Sequence, residues 1–161
     1  MPRVSSKDKY TVQVFELFKR YGLSLNMEQI AQQLGLTKKT LYNNFTSKQE
    51  LINTVVNHFY TSLEREMTLA MNDSENAIHA MFNVSRVITE EISKLGEVFL
   101  KDMSIYHACD EIFAFTSRAN FYSKFIVDNL NRGIKEGLFR TTLNMEYTTI
   151  FYNSAIELFY R

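Results

Sequence analysis

Cysteine, proline, glycine and tryptophan are scarce in this 161-residue chain, and each scarcity removes a class of structure. Cys109 is the single cysteine, which excludes an intramolecular disulfide framework and any cysteine-based zinc site. Pro2 is the only proline, and the five glycines, at 22, 35, 96, 133 and 137, form no Asn-Gly, Asp-Gly or Pro-Gly pair. Hairpin chemistry is therefore missing. No apolar run approaches the roughly 18 residues of a membrane span, so no membrane partner is expected. The first nine residues are polar and lack the apolar centre of a secretory leader, which points to a cytoplasmic protein. Net charge is also absent, since 18 basic side chains balance 18 acidic ones. With 45% apolar residues and 14% aromatics, the chain can nonetheless bury one real core.

The charge is unevenly spread. Residues 1–50 carry eight basic groups (Arg3, Lys7, Lys9, Lys19, Arg20, Lys38, Lys39, Lys48) and four acidic ones (Asp8, Glu16, Glu28, Glu50), a net of +4 that the rest of the chain cancels. Such a split suits a polyanion-binding module joined to a part that does not touch the polyanion.

Apolar residues recur at helical spacing. Leu51, Ile52, Val55, Val56, Phe59, Leu63, Met67 and Met71 make one long stripe, and two more run from Ile78 to Leu95 and from Ile112 to Ile134. The fold class expected is all-α. Helix starts are marked by Ser47-Lys48-Gln49-Glu50, in which the glutamate would reach back to the serine amide, by Asn26-Met27-Glu28-Gln29, and by Asn72-Asp73-Ser74-Glu75. Gly22 and Gly137 mark stops. Helices are expected at about 7–21, 27–34, 38–44, 48–71, 74–95, 97–106, 110–136 and 145–160.

The chemistry concentrates in residues 26–51. A short helix with Ile30 and Ala31, a turn at Gly35 and a second short helix with Leu41 and Phe45 form the internal mechanics of a helix-turn-helix. The second helix, capped by Thr37, presents Lys38, Lys39, Thr40, Tyr42, Asn43 and Asn44 and contains no carboxylate. Lysines, amides and a tyrosine on one surface suit phosphates and base edges of duplex DNA. Ile30-Ala31, Gly35, Thr40-Leu41-Tyr42-Asn43-Asn44-Phe45 and Ser47-Lys48-Gln49-Glu50-Leu51, with Phe18 and Gly22 upstream, resemble the DNA-binding signature of the tetracycline-repressor (TetR) family of bacterial regulators.

The resemblance implies an N-terminal three-helix DNA-binding domain over 1–46 and a helical effector-binding and dimerisation domain over 47–161. It makes Lys38, Lys39, Thr40 and Asn43 the base-reading group, and Thr37, Tyr42, Asn44 and Lys48 the phosphate contacts. Lys48 also sits in the first turn after Ser47, where free helix amides attract an anion. Asn44 stands where the family often has histidine. The family usually has a further C-terminal helix, so the chain, which ends at Arg161 within an apolar helical stretch, is expected to be truncated there.

The implied activity is a ligand-responsive repressor that binds a duplex operator as a homodimer and releases it when a small apolar or aromatic effector binds. Effector residues carry no shared motif. A gap among the large side chains of the second half would be lined by Met81, Phe82, Phe99, Met103, Tyr106, Phe121, Tyr122 and Phe125. The apolar face of Met145, Ile150, Phe151, Ala155, Leu158 and Phe159, with part of 110–136, is the expected dimer interface. No phosphate loop, nucleophile elbow or paired-carboxylate site occurs, so no enzyme chemistry, cofactor or metal is expected. The alternative is a helical small-molecule-binding or scaffold protein whose helix-turn-helix no longer contacts DNA.

Overall fold

The computed structural model describes residues 5–109 and 115–159, without the side chains of 106–109, 115–120 and 155–159. Among the described residues it contains eight helices and no strand: α1 (Ser6–Tyr21), α2 (Met27–Gln33), α3 (Lys38–Asn44), α4 (Lys48–Asn72), α5 (Ala77–Ser93), α6 (Glu97–Cys109), α7 (Phe115–Lys135) and α8 (Met145–Phe159). No helix among them is long and apolar enough to cross a membrane. The chain folds into two units, one from the residues up to Ser62 with Leu95–Met103, the other from Leu63–Lys94 with the residues from Ser104 on. The two units divide within α4, between Ser62 and Leu63, where the sequence led to an expected division at 46/47. Leu51, Val55, Val56 and Phe59, at helical spacing on α4, are all buried, so the first half of that helix belongs with α1 to α3.

In the first unit, Val14 and Phe18 of α1, Ile30 of α2, Leu41 and Phe45 at α3, and Leu51 and Val55 of α4 are fully buried. Ser5 caps α1 by accepting the Asp8 amide at 3.1 Å. The Asn26 box is complete: its side chain accepts the amides of Glu28 and Gln29, and Gln29 returns an oxygen to the Asn26 amide at 2.8 Å. Asn26→Ala should cost about 1 kcal/mol in a denaturant melt. Ser47 does accept the Glu50 amide at 3.0 Å, but the Glu50 carboxylate reaches one residue further back than the motif suggested, to the amide and hydroxyl of Thr46.

The second unit corrects one helix start. Ser74 does not begin α5; its hydroxyl donates to the Ala70 carbonyl at 2.6 Å and so prolongs the end of α4, and Asn76 takes the cap by accepting the amides of Ile78 and His79. The α4–α5 turn is then clasped by one face of α7. Asn129, only 2% exposed, donates to the Ala77 carbonyl at 2.9 Å. Arg132 donates to the Ser74 carbonyl at 2.9 Å, and Glu136 accepts the Ala77 amide at 2.8 Å while pairing with Arg132. After α7 the chain reverses, with the amides of Leu138 and Phe139 both donating to the Gly133 carbonyl and the Phe139 ring filling the space a side chain at 133 would need. α7 packs on α5 and α8. The expected helix over 110–136 is seen from Phe115, and 110–114 lie outside the described residues.

The clasp gives the second unit a pH dependence. The Ala77 amide, and after it Arg132, hold the Glu136 carboxyl below the ordinary carboxylate range. A depressed folded pKa contributes stability above the unfolded value, and that stability is lost as pH falls through the lower folded value. Glu136→Gln should melt earlier than wild type at neutral pH, and the difference should shrink as pH falls below about 4. A constant difference from pH 7 to the acid limit would place the clasp elsewhere.

Candidate nucleic-acid interface

The interface begins with the turn that joins α2 to α3. Gly35 takes a positive φ of 65°, which allows the Leu36 amide to turn back onto the Ala31 carbonyl at 2.8 Å. Thr37 then caps α3, its hydroxyl oxygen accepting the Thr40 amide at 3.1 Å and lying 2.8 Å from the Thr40 hydroxyl. Along α3 only Leu41 is buried, with Phe45 buried just beyond its end. The remaining positions face outward because α3 is short and uses only these two anchors.

Lys38, Lys39, Tyr42 and Asn43 are exposed and Thr40 is half-buried, so all four expected base readers lie on this one short helix. Thr37, Tyr42 and Asn44 flank them, and Lys48 opens the next helix. Besides Thr37 and Thr40, three of these side chains already have partners. Lys38 lies 3.7 Å from the Glu28 carboxylate, so α2 supplies the negative charge that α3 lacks. Asn44 donates to the Thr40 carbonyl at 2.8 Å and accepts the Ser6 hydroxyl at 3.0 Å, which ties α3 to the start of α1. Its role as a phosphate ligand is thus shared with a structural one. Lys48 donates to the Ser24 carbonyl at 3.3 Å, across the turn before α2.

Sequence reasoning missed the support beneath this surface. Lys7 donates to Glu50 at 2.6 Å and also lies 5.4 Å from the Phe45 ring centroid. The Lys7 ammonium, followed by the hydroxyl and amide of Thr46, lowers the Glu50 carboxyl to about 2. Lys7 and Glu50 are 43 positions apart, and no local pattern announces such a pair.

Of the eight residues expected around an effector, Phe99 and Met103 belong to the first unit and the other six to the second. Phe99 and Met103 are buried in the first unit, Phe99 with its ring 6.0 Å from Phe15. Phe82 is 71% exposed. The Tyr106 side chain lies outside the described residues. Met81, Phe121 and Tyr122 are half-buried and Phe125 is buried in the second unit, where the Tyr122 and Phe125 rings are 5.9 Å apart. Burial, and then the Tyr152 hydroxyl, push the Tyr122 phenol up to about 12, so it stays protonated and can donate a hydrogen bond. The counting of aromatics gave no means of telling which ones complete the first unit. Among the described residues no cluster of three or more His, Cys, Asp or Glu side chains could hold a metal ion.

Residues 15–55 match the family model described as bacterial regulatory proteins, tetR family. The HTH-type transcriptional regulator YvaF of Bacillus subtilis (strain 168) is 28% identical over 96 residues, which cover 59% of this chain and 50% of that protein. This chain thus spans about half the length of the curated relatives it matches. Two solved structures share the fold. The TetR family transcriptional regulator PfmR of Thermus thermophilus has a TM-score of 0.70 at 19% identity, over 96% of this chain and 85% of that one. The ketosteroid transcriptional regulator KstR2 of Mycobacterium tuberculosis has a TM-score of 0.66 at 23% identity, over 92% and 78%.

Proposed function

Since the helix-turn-helix of this chain is that of the TetR family of bacterial regulatory proteins, we propose that the protein regulates transcription by binding a duplex operator through α3. The observation that carries this reading is the composition of the exposed face of α3: two lysines, a tyrosine and an asparagine, with Asn44 half-buried beside them and no carboxylate, held out by two buried anchors. Lys38, Lys39, Thr40 and Asn43 read base edges, while Thr37, Tyr42, Asn44 and Lys48 meet phosphates. The DNA-binding role belongs to the whole first unit, including α4 to Ser62 and residues 95–103.

One short recognition helix spans only a few base pairs, so the active species is a homodimer on a near-palindromic site. Tyr147, Ile150 and Phe151 support α8 as the contact face: Ile150 is 53% exposed and Phe151 69%, more apolar surface than one helix ordinarily leaves in water. Ala155, Leu158 and Phe159, expected on the same face, lie outside the described side chains. The effector is small and largely apolar, binds in the second unit near Tyr122 and Phe125, and lowers operator affinity. The protein acts in the cytoplasm.

Selection from a random duplex library tests the reading. A near-palindrome should emerge. Lys39→Ala should weaken binding to it by about 1–3 kcal/mol and relax one position of the site, whereas Lys48→Ala should weaken all sequences nearly alike. No enriched sequence would return the protein to the alternative of a helical binding or scaffold protein.

A further inference from the structure

The turn that delivers α1 into the helix-turn-helix is held by a residue far along the chain. Residues Leu95–Met103 belong to the first unit, and within them the Asp102 carboxylate accepts the Leu23 amide at 2.7 Å. The fit there is close from both sides. Gly22 ends α1 with a φ of 70°, and any side chain on it would run into the Asp102 carboxylate and Val98. Gly96, on the opposing segment, leaves no room for a side chain against the Lys19 carbonyl. Three residues on from Gly96, Phe99 is fully buried with its ring 6.0 Å from that of Phe15.

On its other flank the same turn offers the Ser24 carbonyl to Lys48. The short segment between α1 and α2 is thus fixed at successive residues by a carboxylate from α6 and by a lysine assigned to a DNA phosphate. A buried amide left without an acceptor is costly, so the Leu23 position follows Asp102 closely.

We propose that Asp102 is a positioning residue for DNA binding: by accepting the Leu23 amide it latches the α1–α2 turn, and with it the placement of Lys48 and α3. This rests on the DNA-binding reading above. Asp102→Asn keeps an oxygen that can accept the amide, whereas Asp102→Leu keeps the bulk and loses the acceptor. Gly96→Ala leaves Asp102 in place and forces the whole segment away from the Lys19 carbonyl.

Two measurements on the full chain decide the matter: hydrogen exchange at Leu23 and along α2 and α3 in the free protein, and affinity for the selected duplex against a scrambled one. The Asn variant should stay within about twofold of wild type in both. The Leu and Gly96→Ala variants should lose protection at Leu23 and about tenfold or more in selected-duplex affinity, with an unchanged melting cooperativity at the assay temperature. If the Leu variant does not fold, Gly96→Ala carries the decision. Wild-type protection with wild-type affinity in either wedge variant overturns the latch, as does an Asn variant as impaired as the Leu variant. Should the wild type select no duplex, the DNA-binding reading fails separately and the exchange at Leu23, α2 and α3 still settles the latch.

Discussion

Phe45→Ala should destabilise the first unit by about 3–5 kcal/mol in a denaturant melt and abolish operator binding at temperatures where wild type is saturated. The ring is 0% exposed at the end of α3, where the chain turns from the recognition helix into α4. Three consequences follow from its removal. The cavity opens at the end of a seven-residue helix that has little propensity of its own to fall back on, since helices this short depend on tertiary packing. Lys7 loses the ring beside its ammonium, and with it part of the support for its bond to Glu50. Leu41 becomes the only buried anchor within reach of α3. Tyr42→Ala is the control, because it removes a comparable ring from an exposed site and should stay within about 0.5 kcal/mol of wild type. Equal losses for the two would mean that α3 is not held as described.

Operator affinity should fall about a thousandfold between roughly 50 and 200 mM salt, a slope of log K against log salt near −5. That figure counts about six phosphates neutralised by Lys38, Lys39 and Lys48 from two subunits, at roughly 0.9 counterion released per phosphate. The Glu28 partner of Lys38 makes the count testable residue by residue. If Lys38 leaves Glu28 for a phosphate or a base edge, Glu28→Gln should raise affinity most at low salt, where neither the exposed pair nor the repulsion between Glu28 and DNA is screened. Fluorescence anisotropy across the salt series gives the slope directly. A value near zero would show that the lysines of α3 do not face DNA at all.

Local chemistry made much of the first unit legible. The bounds of α3, the cap at Thr37 and the box at Asn26 depend on residues within four positions of each other, and the sequence reports such neighbours reliably. The start at Asn72-Asp73-Ser74-Glu75 misled because a serine hydroxyl can also bond back to the preceding turn, and Ser74 does so with Ala70 while Asn83 and Arg132 hold it from elsewhere in the chain. The bonds that organise the interface were out of reach for a different reason. Ser6 to Asn44, Lys7 to Glu50 and Leu23 to Asp102 span 38, 43 and 79 positions, and a single sequence carries no periodicity at that range. Phe99 shows the same limit from the apolar side, since an aromatic destined for the first core looks no different from one beside Tyr122.

The division of the chain constrains how it can be made and recombined. The ribosome releases α1 to α3 well before Leu95–Met103 emerge, so Leu23 waits for a partner 79 residues behind it and Phe15 stays uncovered on the side that Phe99 closes. A chimaera that joins the first 62 residues to another regulator's sensing half would leave that side open unless the foreign α6 happened to bring an equivalent of Gly96, Phe99 and Asp102. Transplanting the segment 95–103 together with the N-terminal helices is therefore the exchange that keeps the first unit whole.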